Sequence, residues 1–500
     1  MKKIVYIPLD ERPCNYDFPN EIFQNSQTNI VIPPINIMGD KKMPANHNAL
    51  EAFLLKETKD ADGLVISLDT LIYGGIVPSR LHYLDVSVLK ERLLFIEQIK
   101  KQTPKLPIFA FQLIMRCPQN NSSDEEPEYY KHSGRSIYLN GYYQNKKQLG
   151  IITEEEEKHW KTLSIEDTYL NDFLQRRFTN KQINIFALNL LEKEMIDFLV
   201  VPQDDASEYG YTAIDQVDIR EIIRQKQLML KAYMYPGADE VGCILLSRMI
   251  NHLENKKPAF FVKYPSPTTP MVIPCLEDRY VDVTIKYHIA CTGGITVPSL
   301  ADADIVLLAF LGATKMISHP NNEPSLDVDV MCNFTEMMEF ADYAIKKGYP
   351  VAIGDLVYLN GGSLDILHFL EAKQLTMKVA SYAGWNTSSN SLGTAIAQAI
   401  QFWYQGNTLS HQAFLIKRYV EDVGYCGIVR ADVTKELAKH QMDYFNVNEK
   451  DGIAAKLVNH GLQKFIHEHL TSISHQFTVT KVNLPWKRMF EVAFEVHLKD

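Results

Sequence analysis

The chain has 500 residues, of which 46% are hydrophobic and 22% are charged, a composition typical of globular proteins. Its formal net charge of −10 argues against nucleic acid and anionic membranes as main partners, because both require basic surfaces. The seven cysteines are scattered without a Cys-x-x-Cys motif, and no apolar run approaches the roughly 20 residues of a membrane span, so we expect a cytoplasmic protein with reduced cysteines and no membrane segment.

Short apolar segments alternate with segments of helical spacing along residues 1–404. Eight of these segments predict buried strands, and they cover residues 3–8, 63–68, 107–113, 197–201, 259–263, 304–310, 350–353 and 377–381. A further run, residues 29–33, is either a ninth strand or part of a loop. Alternation of this kind indicates parallel strands joined by right-handed crossovers. We therefore predict an α/β protein with a (β/α)8 TIM-like barrel over residues 1–404. A doubly wound open sheet is the alternative, because counting strands does not show closure.

Two segments fall outside this repeat. The connection after the third strand, residues 117–196, is the longest, and it contains an acidic run followed by tyrosines and Arg135. It is either a packed insertion that forms a lid or pocket wall, or a solvated acidic loop. Residues 405–500 predict a small α+β appendage, in which residues 477–484 and 489–498 form a hairpin.

The fourth predicted strand runs directly into two adjacent carboxylates, Asp204 and Asp205. Neighbouring side chains diverge at the end of a strand, so the two carboxylates can take different roles in one pocket. Carboxylates that are close together repel each other, which separates their pKa values and suits acid–base chemistry. The alternative interpretation is a helix N-cap next to a surface acid.

Other polar or aromatic residues follow the predicted strands in the same way. They are Asp10, Arg12, Asp69, Arg80, Arg116, Asp355, Trp385 and Asn386. In a barrel all these strand ends meet on the face that carries the active site, whereas in an open sheet only those at the switch point meet. We predict that these residues bind substrate around Asp204 and Asp205. Trp385 as a core residue, and an Asp10–Arg12 ion pair that braces the strand ends, are the alternatives.

The glycine-rich phosphate-binding motifs are absent from the sequence, both Gly-x-x-x-x-Gly-Lys and Gly-x-Gly-x-x-Gly. We therefore expect no nucleotide cofactor. No predicted strand ends in a His-x-His pair, which argues against zinc chemistry, and we expect no metal.

Five short motifs carry a resemblance that extends over essentially the whole chain. They are PLDERPCN at residues 8–15, YGG at 73–75 with SR at 79–80, QDDA at 203–206, PGADE at 236–240 and GWNT at 384–387. In this combination the chain resembles the bacterial family called domain of unknown function 4127. That name implies no chemistry.

A second resemblance implies an activity. An Asp-Asp pair after the fourth strand of a barrel is similar to the active site of family 84 glycoside hydrolases, the O-GlcNAcase and hyaluronidase group. In that family the acetamido oxygen of the substrate attacks the anomeric carbon. The resemblance implies that Asp204 polarises the acetamido group and that Asp205 is the general acid and then the base. It also implies that Trp385 and Asn386 hold the sugar.

From these patterns we expect an enzyme, a glycoside hydrolase that acts on an N-acetyl-hexosaminide in a small-molecule or oligosaccharide substrate. A hydrolase that uses strand-end aspartates to bind Mg²⁺ or Mn²⁺ is one alternative, since these ions prefer oxygen ligands. A non-catalytic carbohydrate-binding protein is the other. The guanidinium groups of Arg12, Arg80 and Arg116 are also suited to binding a substrate that carries a carboxylate or a phosphate. The appendage is a possible contact in a homo-oligomer.

Overall fold

A computed structural model describes residues 1–320 and 323–499 of the chain. The chain divides into two compact units. The first consists of Met1–Asp17, Gln24–Leu245 and Leu276–Asp278, and the second of Phe18–Phe23, Leu246–Cys275 and Arg279–Asp500. Two helices, Pro13–Phe23 (α1) and Val241–Glu254 (α10), include residues of both units.

The first unit is built on a parallel sheet of six strands. The strands are β1 (Lys2–Ile7), β2 (Thr28–Val31), β3 (Gly63–Ser67), β4 (Ile108–Phe111), β5 (Phe198–Val200) and β6 (Ala232–Tyr233). Their order is β2-β1-β3-β4-β5-β6, with Val5 opposite Leu64 and Phe109 opposite Phe198. Strands β3 to β5 are almost wholly apolar, and in β1 residues 4–7, which follow two lysines, are buried, as expected of strands that are covered on both faces. The strand order reverses at β1, which is the place where open α/β sheets bind ligands.

The helices of the first unit pack around this sheet or form the long insertion. They are α2 (His47–Glu57), α3 (Leu68–Tyr73), α4 (Ile76–Leu81), α5 (Val86–Gln102), α6 (Tyr130–Gln148), α7 (Glu154–Thr162), α8 (Asp167–Glu192) and α9 (Tyr211–Gln225). Helices α6 to α8 belong to the predicted insertion. Residues from it, including Tyr130, Ile137 and Phe173, form a buried apolar cluster with Tyr211. The insertion is therefore packed rather than a solvated loop.

The second unit has a parallel sheet of five strands and an antiparallel hairpin. The strands are β7 (Ala259–Lys263), β8 (Ile295–Thr296), β9 (Ile305–Phe310), β10 (Val351–Asp355) and β11 (Ser381–Ala383), in the order β11-β10-β9-β7-β8. Strands β12 (Phe477–Asn483) and β13 (Ala493–Leu498) form the predicted C-terminal hairpin.

The helices of the second unit surround this sheet. They are α11 (Val281–Cys291), α12 (Leu326–Asp329), α13 (Phe334–Lys346), α14 (Leu364–Ala372), α15 (Ser388–Gln405), α16 (Leu409–Arg418), α17 (Arg430–Leu437) and α18 (Ile453–His469), with a π-helix at Tyr419–Val429. Residues after 405, such as Leu415, Val458 and Phe494, share one apolar core with residues of β9 and β10. The boundary predicted at residue 405 therefore does not coincide with the division into units.

The expectation of a mixed α/β protein with parallel strands is confirmed. All eight predicted strands are present, although the last lies at Ser381–Ala383 rather than at residues 377–381, and the uncertain ninth run is β2. The (β/α)8 barrel is not confirmed, because the described strands pair in two separate parallel sheets. Strand–helix alternation is the same in both arrangements, so the sequence pattern did not distinguish them. Within the described residues no helix has the length and apolar character needed to cross a membrane.

Gly74 provides a test of the first unit. It ends α3 with φ 92°, and a Cβ placed there would lie 2.5 Å from the Cβ of Pro44. At Gly150 φ is also positive, at 71°, but no atom lies within 4 Å of the corresponding position. We expect Gly74→Ala to lower the free energy of unfolding by roughly 2–4 kcal/mol, and Gly150→Ala by about 1 kcal/mol, because only the first adds a clash to the backbone strain. Urea unfolding measures both, and equal losses would contradict this account of Gly74.

Candidate active site

The carboxyl ends of the strands in the first unit bring charged residues to one edge of its sheet. Asp10 and Arg12 follow β1, Arg80 lies in α4 after β3, Arg116 follows β4, the Asp204–Asp205 pair follows β5, and Asp239 follows β6. Because the strands are parallel and neighbouring, these ends lie side by side.

An ion-paired triad forms at the end of β1. The Nη2 atom of Arg12 lies 2.6 Å from an oxygen of Asp10 and 2.6 Å from an oxygen of Asp239. Asn15 donates to both carboxylates, at 3.0 and 2.9 Å. Burial raises the pKa of Asp239 to about 7, although Arg12 acts to lower it, and the negative charges of Asp10 and Asp204 raise it further. The Asp10–Arg12 ion pair considered from the sequence is present, and Arg12 also forms an ion pair with Asp239.

Two guanidinium groups bind the Asp204–Asp205 pair. Arg80 donates to Asp204 at 2.7 Å, and Arg116 donates to Asp205 at 3.1 Å. The same Nη1 atom of Arg116 lies 3.7 Å from Asp204, so one guanidinium group reaches both carboxylates. Asp205 has φ 46°, a left-handed conformation that Asp tolerates better than most residues and that is enriched at functional sites.

The insertion contributes two more carboxylates to the same arginines. Glu125 lies 2.7 Å from Arg80 and 3.1 Å from Arg116, and Glu126 accepts from the Nε atom of Arg116 at 2.7 Å. Glu126 is buried. Neither glutamate was among the predicted site residues, and neither was Asp239. Asp239 falls in the PGADE motif, which was a usable signal, whereas the acidic run at Glu125 was also consistent with a solvated loop.

Burial and the neighbouring charges make Asp205 a weaker acid than an ordinary aspartate. Burial and then the negative charge of Asp204 raise the pKa of Asp205 to about 6, against the opposing effect of Arg116. A carboxyl group with this pKa exchanges its proton near neutral pH, which is what a general acid–base catalyst requires. Its side chain keeps about a fifth of its surface exposed, at 21%, so it is open to a substrate.

Asp69 lies deeper at the same edge of the sheet. One of its carboxylate oxygens accepts from the backbone N–H of Leu113 at 2.9 Å, which links the segments that follow β3 and β4. Burial raises the pKa of Asp69 to about 7, and the positive charge of Arg80 acts in the opposite direction. Asp69 is only 2% exposed, so it stabilises the segments that carry the site and does not itself face a substrate.

The remaining predicted residues, Asp355, Trp385 and Asn386, belong to the second unit and are buried there. Asp355 accepts from the hydroxyl of Tyr382 and from the backbone N–H of Ser363, each at 2.5 Å. Trp385 donates from Nε1 to Thr394 at 3.2 Å. These contacts are internal to the unit, and they agree with the alternative interpretation of Trp385 as a core residue.

Within residues 1–320 and 323–499, no group of three or more His, Cys, Asp or Glu side chains is arranged to hold a metal ion. The oxygens of Asp10, Asp204 and Asp205 that have described contacts are bound by guanidinium, amide or backbone N–H groups.

Residues 4–495 match the model of a family described as a protein of unknown function, DUF4127. The chain belongs to this family. Searches of curated proteins and of solved structures gave no match. The membership confirms the resemblance seen in the five motifs, while the similarity to family 84 glycoside hydrolases is not supported by a match.

The acidity of Asp205 in this DUF4127 chain can be tested by two opposite substitutions. Asp204→Asn removes a negative charge that raises the pKa of Asp205, so we expect that pKa to fall by about one unit. Arg116→Gln removes a positive charge that lowers it, so we expect a rise of about one unit. Carboxyl 13C NMR titration measures both shifts, with the Asp205 signal assigned by its loss in Asp205→Asn. Asp218→Asn, on the exposed face of α9, is the control. If both substitutions moved the pKa of Asp205 in the same direction, the charges of Asp204 and Arg116 would not be what sets it.

Proposed function

We propose that the first unit is the catalytic part of a glycoside hydrolase that cleaves N-acetyl-hexosaminides with the Asp204–Asp205 pair. The observation that carries this proposal is the unequal setting of the two carboxylates. Asp204 is held in a 2.7 Å ion pair with Arg80, whereas Asp205 has its pKa raised to about 6. Glycoside hydrolysis needs such a division, with one carboxyl group that gives up a proton and one that carries negative charge.

The proposed reaction has two steps. In the first, Asp205 gives its proton to the glycosidic oxygen as the bond to the anomeric carbon breaks, and the acetamido oxygen of the substrate forms the new bond to that carbon. Asp204 accepts a hydrogen bond from the acetamido N–H and stabilises the positive charge that develops. In the second step, the Asp205 carboxylate takes a proton from water, whose oxygen attacks the anomeric carbon and releases the acetamido oxygen. This is the division of roles that the resemblance to family 84 implies.

The charges around the pair favour a neutral sugar over an acidic one. Arg80 and Arg116 together face four carboxylates, those of Asp204, Asp205, Glu125 and Glu126. Their positive charge is thus already compensated, and an added carboxylate would meet net repulsion. Sugar hydroxyls donate well to such carboxylates.

Leaving-group dependence tests the role of Asp205. We expect Asp205→Asn to lose roughly 10²–10⁴-fold in kcat/KM on alkyl N-acetyl-hexosaminides, whose leaving groups need a proton. On nitrophenyl N-acetyl-hexosaminides the loss in the first step should be far smaller, because nitrophenolate leaves without protonation. Asp218→Asn is again the matched control. Steady-state rates for both classes of substrate, with and without EDTA, provide the measurement.

Other outcomes of the same assay separate the competing functions. If Asp205→Asn lost the same factor in kcat/KM on alkyl and on nitrophenyl substrates, Asp205 would not be the general acid. Activity that EDTA abolishes would favour a hydrolase that depends on Mg²⁺ or Mn²⁺. Sugar binding without turnover across a broad panel of glycosides would indicate a carbohydrate-binding protein.

A further inference from the structure

A cavity of about 370 Å³ lies in the first unit, and its charged lining is entirely basic. The charged side chains of the lining at neutral pH are Lys42 and Arg92, and the imidazole rings of His47 and His82 also line it. None of the described residues that line it is Asp or Glu. This composition is opposite to that of the carboxylate-rich edge around Asp204, so the cavity suits a different ligand.

The YGG motif builds one wall of this cavity. Gly74 comes so close to the segment before α2 that its carbonyl accepts from the backbone N–H of Ala45 at 2.9 Å. The ring of Tyr73 stacks on His82, with centroids 4.7 Å apart and an angle of 27° between the planes. These contacts fix the positions of both sides of the cavity. The proposed hydrolysis gives no role to Tyr73 or Gly74, although they form one of the five family motifs.

Arg92 is the central cation of the cavity. Its Nη1 atom donates to the carbonyl of Ile72 at 2.7 Å, which holds the guanidinium group at the wall. Within the described part of the chain, no carboxylate forms an ion pair with Arg92. A partly buried guanidinium group with no counter-charge attracts anions, and its planar N–H groups bind oxyanions at two points.

The N-terminal end of a helix adds to the positive field. The two histidines do not, because burial lowers the pKa of both His47 and His82, and the charge of Arg92 acts in the same direction, so both rings are neutral at pH 7. His47 is the first residue of the eleven-residue helix α2, whose N-terminal end carries partial positive charge. Glu51 pairs with His47 at 3.1 Å and partly offsets this field.

The other two basic residues have more limited parts. Lys42 lies at the exposed mouth, where its ammonium group also contacts Glu128 at 3.2 Å. His82 has both ring nitrogens engaged, one with Asn180 at 2.7 Å and one with the backbone N–H of Leu84 at 3.2 Å. His82 therefore lines the cavity, and its ring nitrogens are already bound to other groups of the protein.

We propose that this cavity binds the phosphate-type oxyanion of a small molecule, with Arg92 as the principal ligand and Lys42 at the mouth. The volume falls in the range of small-molecule sites and exceeds what a bare anion fills, so the anion is expected to be carried by an organic group. A cationic ligand would meet no carboxylate among the described lining residues, and Arg92 would repel it.

Calorimetric titration of the full chain at pH 7 tests this proposal with glucose 6-phosphate, inorganic phosphate and glucose as probes. We expect the sugar phosphate to bind, and binding to weaken with added NaCl because the contact is ionic. Arg92→Gln should weaken it by at least about tenfold, the effect of losing one charged hydrogen-bonding group. The control Arg224→Gln, at an exposed arginine of α9, should stay within about twofold.

The outcomes separate the sources of the anion. Inorganic phosphate that binds as tightly as the sugar phosphate, with the same loss in Arg92→Gln, supports the oxyanion site with free phosphate as its occupant. No binding of either phosphate probe, glucose that binds as tightly as its phosphate, or unchanged binding in Arg92→Gln would each overturn the proposal. Thermal unfolding checks that Arg92→Gln folds. If it does not, Lys42→Gln at the exposed mouth replaces it, and unchanged binding there together with no salt dependence would overturn the proposal.

Discussion

The guanidinium groups of Arg80 and Arg116 hold together the polar edge of the first unit. Each reaches more than one carboxylate, and together they connect segments that follow β3, β4 and β5 with the insertion. Without them four carboxylates would be crowded at one end of a sheet with little water to separate them. Loss of one partner from a buried ion pair typically costs about 3–5 kcal/mol, because the remaining charge is left uncompensated. The positions of Asp204, Asp205, Glu125 and Glu126 depend on this pairing.

The same pairing sets the chemistry of the site. Arginine charge keeps carboxylates ionised, while burial and mutual repulsion keep protons on them, and Asp205 lies where the two effects nearly balance. The same balance acts on Asp239, whose pKa burial raises to about 7 against the opposing charge of Arg12. Carboxyl groups with pKa values in this range are what the proposed acid–base hydrolysis requires.

Much of the first unit's site followed from the sequence, because a buried strand has a recognisable apolar pattern and its next polar residue lies at the sheet edge. Asp204, Arg80 and Arg116 meet for this reason. Glu125 and Glu126 could not be predicted, because a loop inside an 80-residue insertion reaches the site only through packing that no local pattern records. Asp355 has the same sequence pattern as Asp10, yet Tyr382 and Ser363 use its oxygens inside the second unit. The division of the strands between two sheets depends on which strands pair with each other. Strand pairing is a long-range property that the local sequence pattern does not record.

In the proposed reaction Asp205 is an acid whose proton is retained by burial and by the charge of Asp204. The decisive measurement is the pH dependence of kcat/KM on an alkyl N-acetyl-hexosaminide. We expect the rate to fall as pH rises through an apparent pKa of about 6, because the acid form of the carboxylate pair is lost. A rate that stays constant up to about pH 8, or the same falling limb in Asp205→Asn, would contradict it.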